Sequence, residues 1–279
     1  LVLRETKALV PPAAALAGLA AGLLLAAGMA TAAVTASGGT IDKRPSTVQT
    51  TFKSVDAVLA AQWDFPSAGL APLVVIIPPG GRVDRNGWPP GPDFELGKGV
   101  YQRLAELLVD KGYAVFRFDA PGAGRSSPGH WATDRSNALE AYTRAIDHAR
   151  VDTDRVFLVG HGSGTATIGA IFERFEQANP LNGVALLGNQ VGERLALSLT
   201  SPLLLVVGDK YPDDLYQHGR FVLDAREHNE GSKLETTLVS IEGSDSSLIR
   251  EVSDNGSPGL ELRPEATKAL LAWLANHRS

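Results

Sequence analysis

Apolar residues fall along this chain in two alternating rhythms. Continuous apolar runs recur at "PLVVII" (72–77), "YAVFRFD" (113–119), "RVFLVG" (155–160), "NGVALLG" (182–188), "PLLLVVGD" (202–209) and "ETTLVSIEG" (235–243). Their length suits strands, and an unbroken apolar run suits a strand covered on both faces. Between them the spacing turns helical. "GVYQRLAELLVDKG" (99–112) sets Leu104, Leu107 and Leu108 on one side and stops at glycine. Further helices are predicted at "DRSNALEAYTRAIDHAR" (134–150), "TATIGAIFERFEQAN" (165–179), "DLYQHGRFVLDAREH" (214–228) and "RPEATKALLAWLANH" (263–277). Ahead of them "STVQTTFKS" and "AVLAAQWDF" alternate apolar with polar and predict an antiparallel pair. Strand and helix in alternation imply an α/β fold: a mostly parallel central sheet, helices on both faces, antiparallel strands at the N-terminal edge. The stretch from Gly188 to Pro202 is too short for a lid domain.

The first part of the chain follows neither rhythm. From Ala8 to Ile41 no residue is charged, and Ala13–Val34 is apolar almost throughout, with Leu16, Leu19, Leu23, Leu24 and Leu25 as its bulkiest contacts for lipid. About 20 apolar residues cross a bilayer core. Residues 1–36 therefore read as a membrane anchor or a signal segment, 37–46 as a linker, and 47–279 as the folded domain. An anchor makes a single-pass protein with its domain outside the cytoplasm, in the periplasm of a bacterium, touching membrane lipid and a membrane-protein partner. The alternative is secretion after cleavage near the small residues Ala30–Ala32 or Val34–Ala36.

Composition narrows the chemistry. There is no cysteine, hence no disulfide, thiolate metal site or cysteine nucleophile. Net charge is −5 without a long basic run, so nucleic acid is not an expected partner. No metal-ligand spacing stands out, and "DAPGAGRSS" (119–127) lacks the Lys-Ser/Thr pair of a phosphate loop. No cofactor is expected.

The chemistry-bearing stretch is "RVFLVGHGSGTAT" (155–167), a strand entering a glycine-rich turn and then a helix. That is the setting of a nucleophile elbow, G-x-S-x-G. Around it stand "PPGGRVDRNG" (78–87), "DAPGAGRSS", "LLLVVGDKYP" (203–212) and "IEGSDSSL" (241–248), each following a predicted strand. In order and spacing the chain resembles the α/β-hydrolase superfamily, most of all the bacterial serine hydrolase and peptidase-like branch. The resemblance implies a serine nucleophile, an acid and a histidine at three positions. They hold Gly162, Tyr211 and Ser246.

A serine attacks only when a base takes its proton, and the acid orients that base. Loss of the unit costs about 10⁶-fold in rate in a measured case. The expectation is therefore a degenerate triad: a pseudoenzyme that works as an accessory or scaffold subunit of a membrane assembly. Two alternatives stay open, an active esterase or peptidase with a displaced triad, and a small-molecule binder that uses the retained pocket. Ser163 is the substitute nucleophile to weigh, although its flanks two residues away, His161 and Thr165, carry Cβ atoms where an elbow wants glycine. Asp209, Asp213 and Asp214 are substitute acids, and no histidine lies between Gly243 and Asn276. Pro78 and Pro79 offer no N–H to an oxyanion, leaving Gly80, Gly81 and Ser163 for an oxyanion-like loop.

Overall fold

The computed structural model describes residues 45–278 other than 68, 90–96, 131–133, 211–214 and 230–233. The apolar segment 1–36 lies outside them, and among the described residues no helix is long and apolar enough to cross a membrane.

The strands are β1 (Ser46–Lys53), β2 (Val58–Phe65), β3 (Ala71–Ile77), β4 (Ala114–Phe118), β5 (Val151–His161), β6 (Gly183–Leu187), β7 (Leu203–Gly208), β8 (Thr236–Ile241), β9 (Ile249–Asp254) and β10 (Ser257–Leu262). The helices are α1 (Val100–Asp110), α2 (Asp134–Ile146), α3 (Ser163–Ala178), the short α4 (Glu193–Ala196), α5 (Leu215–Glu227) and α6 (Pro264–Asn276). Eight strands form one sheet in the order β1-β2-β4-β3-β5-β6-β7-β8. β1, β2 and β4 pair antiparallel, and every pairing from β4 through β3 to β8 is parallel. The antiparallel start and the parallel body are as the residue pattern predicts.

Period-2 geometry divides each apolar run between two cores. Val75, Leu158, Val184 and Leu203 form one cross-strand row. All four join the core beneath Ala138, Tyr142, Phe172 and Phe175 of α2 and α3. Their neighbours Val74, Phe157, Ala185 and Leu204 face the other way, under Leu104 and Leu108 of α1 and Leu270 and Leu274 of α6. This two-sided burial is why the strands read as continuous apolar runs.

The hairpin β9–β10 is one element the apolar rhythm does not predict. It pairs from Ile249↔Leu262 to Asp254↔Ser257. Its signal is local: Asn255 and Gly256 have φ of 51° and 92°, the conformation of a two-residue type I′ turn, which Asn-Gly favours. Arg103 of α1 pairs with the Asp254 carboxylate, which also accepts the Lys98 N–H at 2.7 Å.

Two loops that the sequence marked are locked together by one buried ion pair. Asp119, 1% exposed, accepts Arg85 N–H at 2.8 Å, Nε at 2.9 Å and Nη2 at 2.9 Å, and Arg125 N–H at 2.8 Å. A Cβ on Gly124 would lie 2.4 Å from Asp119 Oδ2, which is why glycine stands there. Breaking one side of a buried pair strands a charge and costs about 3–5 kcal/mol. Asp119→Asn should lower unfolding stability by about that amount, read from urea denaturation.

Candidate active site

β5 ends at His161, the chain turns at Gly162, and α3 begins at Ser163. Gly162 has φ 54° and ψ −125°. This is the strained elbow conformation, which glycine adopts without a Cβ penalty. Its N–H donates to Leu187 O at 2.9 Å, and its carbonyl accepts Thr165 N–H at 3.0 Å and Thr165 Oγ1 at 2.7 Å. The frame of the motif is fixed by its neighbours. A Cβ on Gly160 would lie 2.8 Å from Ile168 Cδ1, and one on Gly164 would lie 2.3 Å from Ile77 O and 2.5 Å from Pro78 O. The elbow is thus centred on Gly162 and is not shifted by one residue. A Cβ at Gly162 itself would meet only Pro79 Cβ, at 3.5 Å.

The loop that resembles the histidine loop comes to this turn. A Cβ on Gly188 would lie 2.1 Å from Ser246 O, and one on Gly208 would lie 2.3 Å from the carbonyls of Ser244 and Asp245. Two glycines at the ends of β6 and β7 therefore let residues 244–246 settle against the sheet. Ser246 carries no imidazole to that place. Asp209 accepts Gly243 N–H at 2.6 Å, holding the loop from the β7 side. Tyr211, Asp213 and Asp214 lie outside the described residues.

His161 supplies no base. Its Nε2 faces the Ser247 carbonyl at 2.7 Å and its Nδ1 faces the Tyr101 hydroxyl at 2.7 Å. A carbonyl only accepts, so Nε2 carries the proton and Tyr101 donates to Nδ1. Burial lowers the His161 pKa, partly opposed by the Ser247 bond. Burial raises that of Tyr101 far above the usual phenol range, so its proton stays on oxygen. The pair ties α1, the elbow and the 243–248 loop together. His148 packs against Trp63 and Phe65, His228 bonds Asp224 O, and His277 bonds Glu235 and Trp273 O. His218 has no described side chain, and none of the described histidines hydrogen-bonds Ser163.

A different cluster gathers on the other side of the turn. Ser163 Oγ accepts the Gly80 N–H at 2.7 Å. This engages the Gly80 donor, uses one serine lone pair and leaves the serine O–H to donate. At the start of α2, Asp134 reaches the same spot: a Cβ on Gly80 would lie 2.7 Å from Asp134 Oδ2 and 3.5 Å from Ser163 Oγ. Partial burial raises the Asp134 pKa from its ordinary value. Beside them a cavity of about 20 Å³ lies between Ile77, Gly80, Phe118, Asp134, Asn137 and Thr167, room for one water. Gly81, with φ 104°, continues the loop past it. Asp134 is a candidate site residue that the linear pattern does not single out. Its only linear signal is an acid at a helix start, the commonest reason for which is capping.

The alpha/beta hydrolase fold family model matches residues 74–272. The chain belongs to that family. No curated protein matches it. Among solved structures it is similar to the dienelactone hydrolase-like promiscuous phosphotriesterase P91 from metagenomic libraries, at 15% identity, TM-score 0.58, over 84% of this chain and 98% of that one. It is similar to the acylaminoacyl peptidase of Pyrococcus horikoshii at 14% identity, TM-score 0.58, over 84% of this chain and 41% of that one. It is also similar to Est1E of Butyrivibrio proteoclasticus with ferulic acid bound, at 16% identity, TM-score 0.57, over 82% of this chain and 98% of that one.

The expectation of a pseudoenzyme is corrected at this point. The family is one of hydrolases, and the matched structures include a phosphotriesterase and a peptidase. The inference of inactivity rested on Gly162, Tyr211 and Ser246 standing at the three triad positions and on the lack of a histidine to serve Ser163. In the fold, the Ser163 hydroxyl stands one residue along, against a backbone donor and near the half-buried Asp134 carboxyl.

The elbow geometry sets a clear mutational contrast. Gly162→Ala should cost about 1–2 kcal/mol, the penalty of an L residue at positive φ. Gly164→Ala, which drives a methyl into two backbone carbonyls, should cost more than about 3 kcal/mol. Thermal unfolding of the two variants measures the difference.

Proposed function

We propose that this protein is a hydrolase of short-chain carboxylic esters in which Ser163 is the nucleophile and Asp134 the base, a displaced version of the elbow chemistry. The observation that carries the reading is the convergence of Ser163 Oγ and Asp134 Oδ2 on Gly80. The preference for short acyl groups rests on the brief connection between β6 and β7, which is too short to build a lid.

The steps balance as follows. Ser163 Oγ attacks the ester carbonyl carbon, and its proton passes to the Asp134 carboxylate. The Gly80 N–H steadies negative charge on the serine oxygen as it forms. The tetrahedral intermediate expels the alcohol, which leaves with the proton held by Asp134. A water then gives a proton to Asp134 and its oxygen attacks the acyl carbon. The acid departs, and Ser163 recovers its proton. A half-buried carboxyl with a raised pKa suits this task better than an ordinary one, because a stronger base takes a proton from a hydroxyl more readily.

Hydrolysis of p-nitrophenyl acetate and labelling by a fluorophosphonate test the reading. Wild type should turn over and be labelled at Ser163, and Ser163→Ala should lose both. Gly162→Ser, which has room for its side chain, should not restore turnover to Ser163→Ala, since no described histidine serves that position. Full activity in Ser163→Ala would sink the assignment.

Asp134 must be ionised to act. Its pKa is raised by burial, so kcat/KM should fall as pH drops through a value higher than that of a free aspartate, and rise to a plateau above it. Asp134→Asn should lower kcat/KM by about 10²–10⁴-fold and flatten that limb of the profile. An unchanged profile would remove Asp134 from the mechanism.

The uncharged run from Ala8 to Ile41 supports a further part of the proposal, a tether that holds the domain at a membrane outside the cytoplasm. Carbonate washing of cell membranes should leave the full chain in the pellet; release into the wash would refute the tether.

A further inference from the structure

The chain contains three Asn-Gly steps, at Asn86, Asn182 and Asn255. Such a step is open to one intramolecular reaction. The glycine nitrogen attacks the asparagine side-chain carbonyl carbon, and no Cβ on the glycine hinders the approach. In a folded protein the outcome turns on whether the two groups are held apart.

Two of the steps are held. Asn86 Oδ1 accepts Arg117 Nη1 at 2.9 Å, and the Gly87 N–H donates to Asp84 O at 3.0 Å. Gly87 is buried against α1, where an added Cβ would lie 2.4 Å from Val100 Cγ1. Asn182 Oδ1 accepts the Val156 N–H, and the Asn182 backbone N–H donates to Val156 O, both at 2.8 Å. Gly183 is buried at the start of β6, with its Cβ position 2.4 Å from Trp273 Cη2. Reaction at either step needs core packing to open.

Asn255 differs on each count. It and Gly256 are exposed at the tip of the β9–β10 hairpin. Neither the Asn255 carboxamide nor the Gly256 N–H makes a hydrogen bond among the described residues. The hairpin forms a two-stranded sheet apart from the main one. Two-stranded pairs are marginal by themselves, so the tip opens at low cost.

The tip also has neighbours to disturb. The Asp254 carboxylate pairs with Arg103 and accepts the Lys98 N–H at 2.7 Å. Pro258 O accepts the Gly97 N–H at 2.8 Å, and the Leu260 N–H donates to Lys98 O at 3.0 Å. The hairpin thus holds the chain entering α1, the helix whose Tyr101 donates to His161 at the elbow.

We propose that Asn255 is a self-modification site, losing its amide in the folded protein with water as the reactant. The Gly256 nitrogen bonds to Asn255 Cγ, the Cγ–Nδ2 bond breaks, and ammonia leaves with the Gly256 proton. Water then opens the succinimide ring at one of its two carbonyls. Opening at Cγ gives aspartate. Opening at the main-chain carbonyl gives isoaspartate, whose backbone is longer by one methylene. Both products set a new carboxylate beside Asp254, and the longer backbone no longer fits a two-residue turn. Modification therefore loosens the hairpin from Gly97 and Lys98. No atom of Ser163 or Asp134 takes part, so the site does not depend on the esterase reading.

Incubation of the purified full chain in mildly alkaline buffer, followed by peptide mapping, tests this. The peptide holding Asn255 should show the mass gain of amide-to-acid conversion and a separated aspartate–isoaspartate pair. Conversion there should run at least about tenfold ahead of Asn86 and Asn182. Opening free energies within one structure spread well beyond the roughly 1.4 kcal/mol behind that factor. In urea the three rates should converge. Asn255→Gly keeps a sequence suited to the type I′ turn and should abolish the signal. Amide exchange at Lys98 and Leu260 should be faster in converted protein than in fresh protein, and should not change when Asn255→Gly is incubated alike. An intact Asn255 in the folded chain, equal conversion at Asn86 or Asn182, or a rate order that persists in urea would overturn the site. Exchange at Lys98 and Leu260 unmoved by conversion would overturn its coupling to α1.

Discussion

The close approach of the β5–α3 turn to the end of β3 is the constraint on which the site depends. At Gly164 the helix start comes so near the carbonyls of Ile77 and Pro78 that a single methyl would collide with both. At Gly160 the strand has the same relation to Thr165 and Ile168. Contact this tight fixes the apex at Gly162 and brings the Gly80 N–H to Ser163. The ions and rings around it reinforce the position without creating it. Arg85 and Asp119 lock the loops after β3 and β4, and the hydrogen bonds of His161 bind α1 and the loop after β8 to the turn.

These supports use different atoms from the chemistry. Gly160, Gly164, Gly188 and Gly208 are required by backbone approach, and a change at any of them pushes against main chain or a core side chain. The apex and the tip of the 243–248 loop face less resistance. A Cβ at 162 meets one proline carbon in ordinary contact, and Ser246 fills its place through its carbonyl rather than its side chain. A fold built this way keeps its shape while the identities of its reactive groups drift. Motif order therefore reports architecture more reliably than it reports which side chain reacts.

That division also explains what could be read from the residues. The parallel sheet was legible because strands buried on both faces leave continuous apolar runs, and each run alternates cleanly between the two cores. The elbow was legible because its glycines are steric necessities. Asp134 was not, because an acid at a helix start looks like a cap until the fold sets it against Gly80, far away in sequence. The β9–β10 hairpin was announced by Asn255-Gly256, but its strands are short and mostly solvated, so hydrophobic rhythm did not reveal them. Pro78 and Pro79 were read correctly as lacking donors. Gly80, however, turns its N–H to Ser163, a contact that needs the approach of β3 to α3 to be seen.

Moving a hydroxyl by one residue across this turn changes which partners it has. At the apex a Cβ would meet only Pro79 Cβ, at 3.5 Å, whereas the 243–248 loop, where the family resemblance puts the histidine, packs against Gly188. From position 163, in the first turn of α3, the hydroxyl looks toward Gly80 and the start of α2. A base for Ser163 must then come from α2 or the loop after β3, and the titratable group that the structure places against Gly80 is Asp134. The substitutions at 162 and 246 and the carboxyl at 134 thus have one geometric explanation. Under the proposed reading an imidazole on the opposite loop would have nothing to accept, and the half-buried Asp134, its pKa raised by burial, would take the proton.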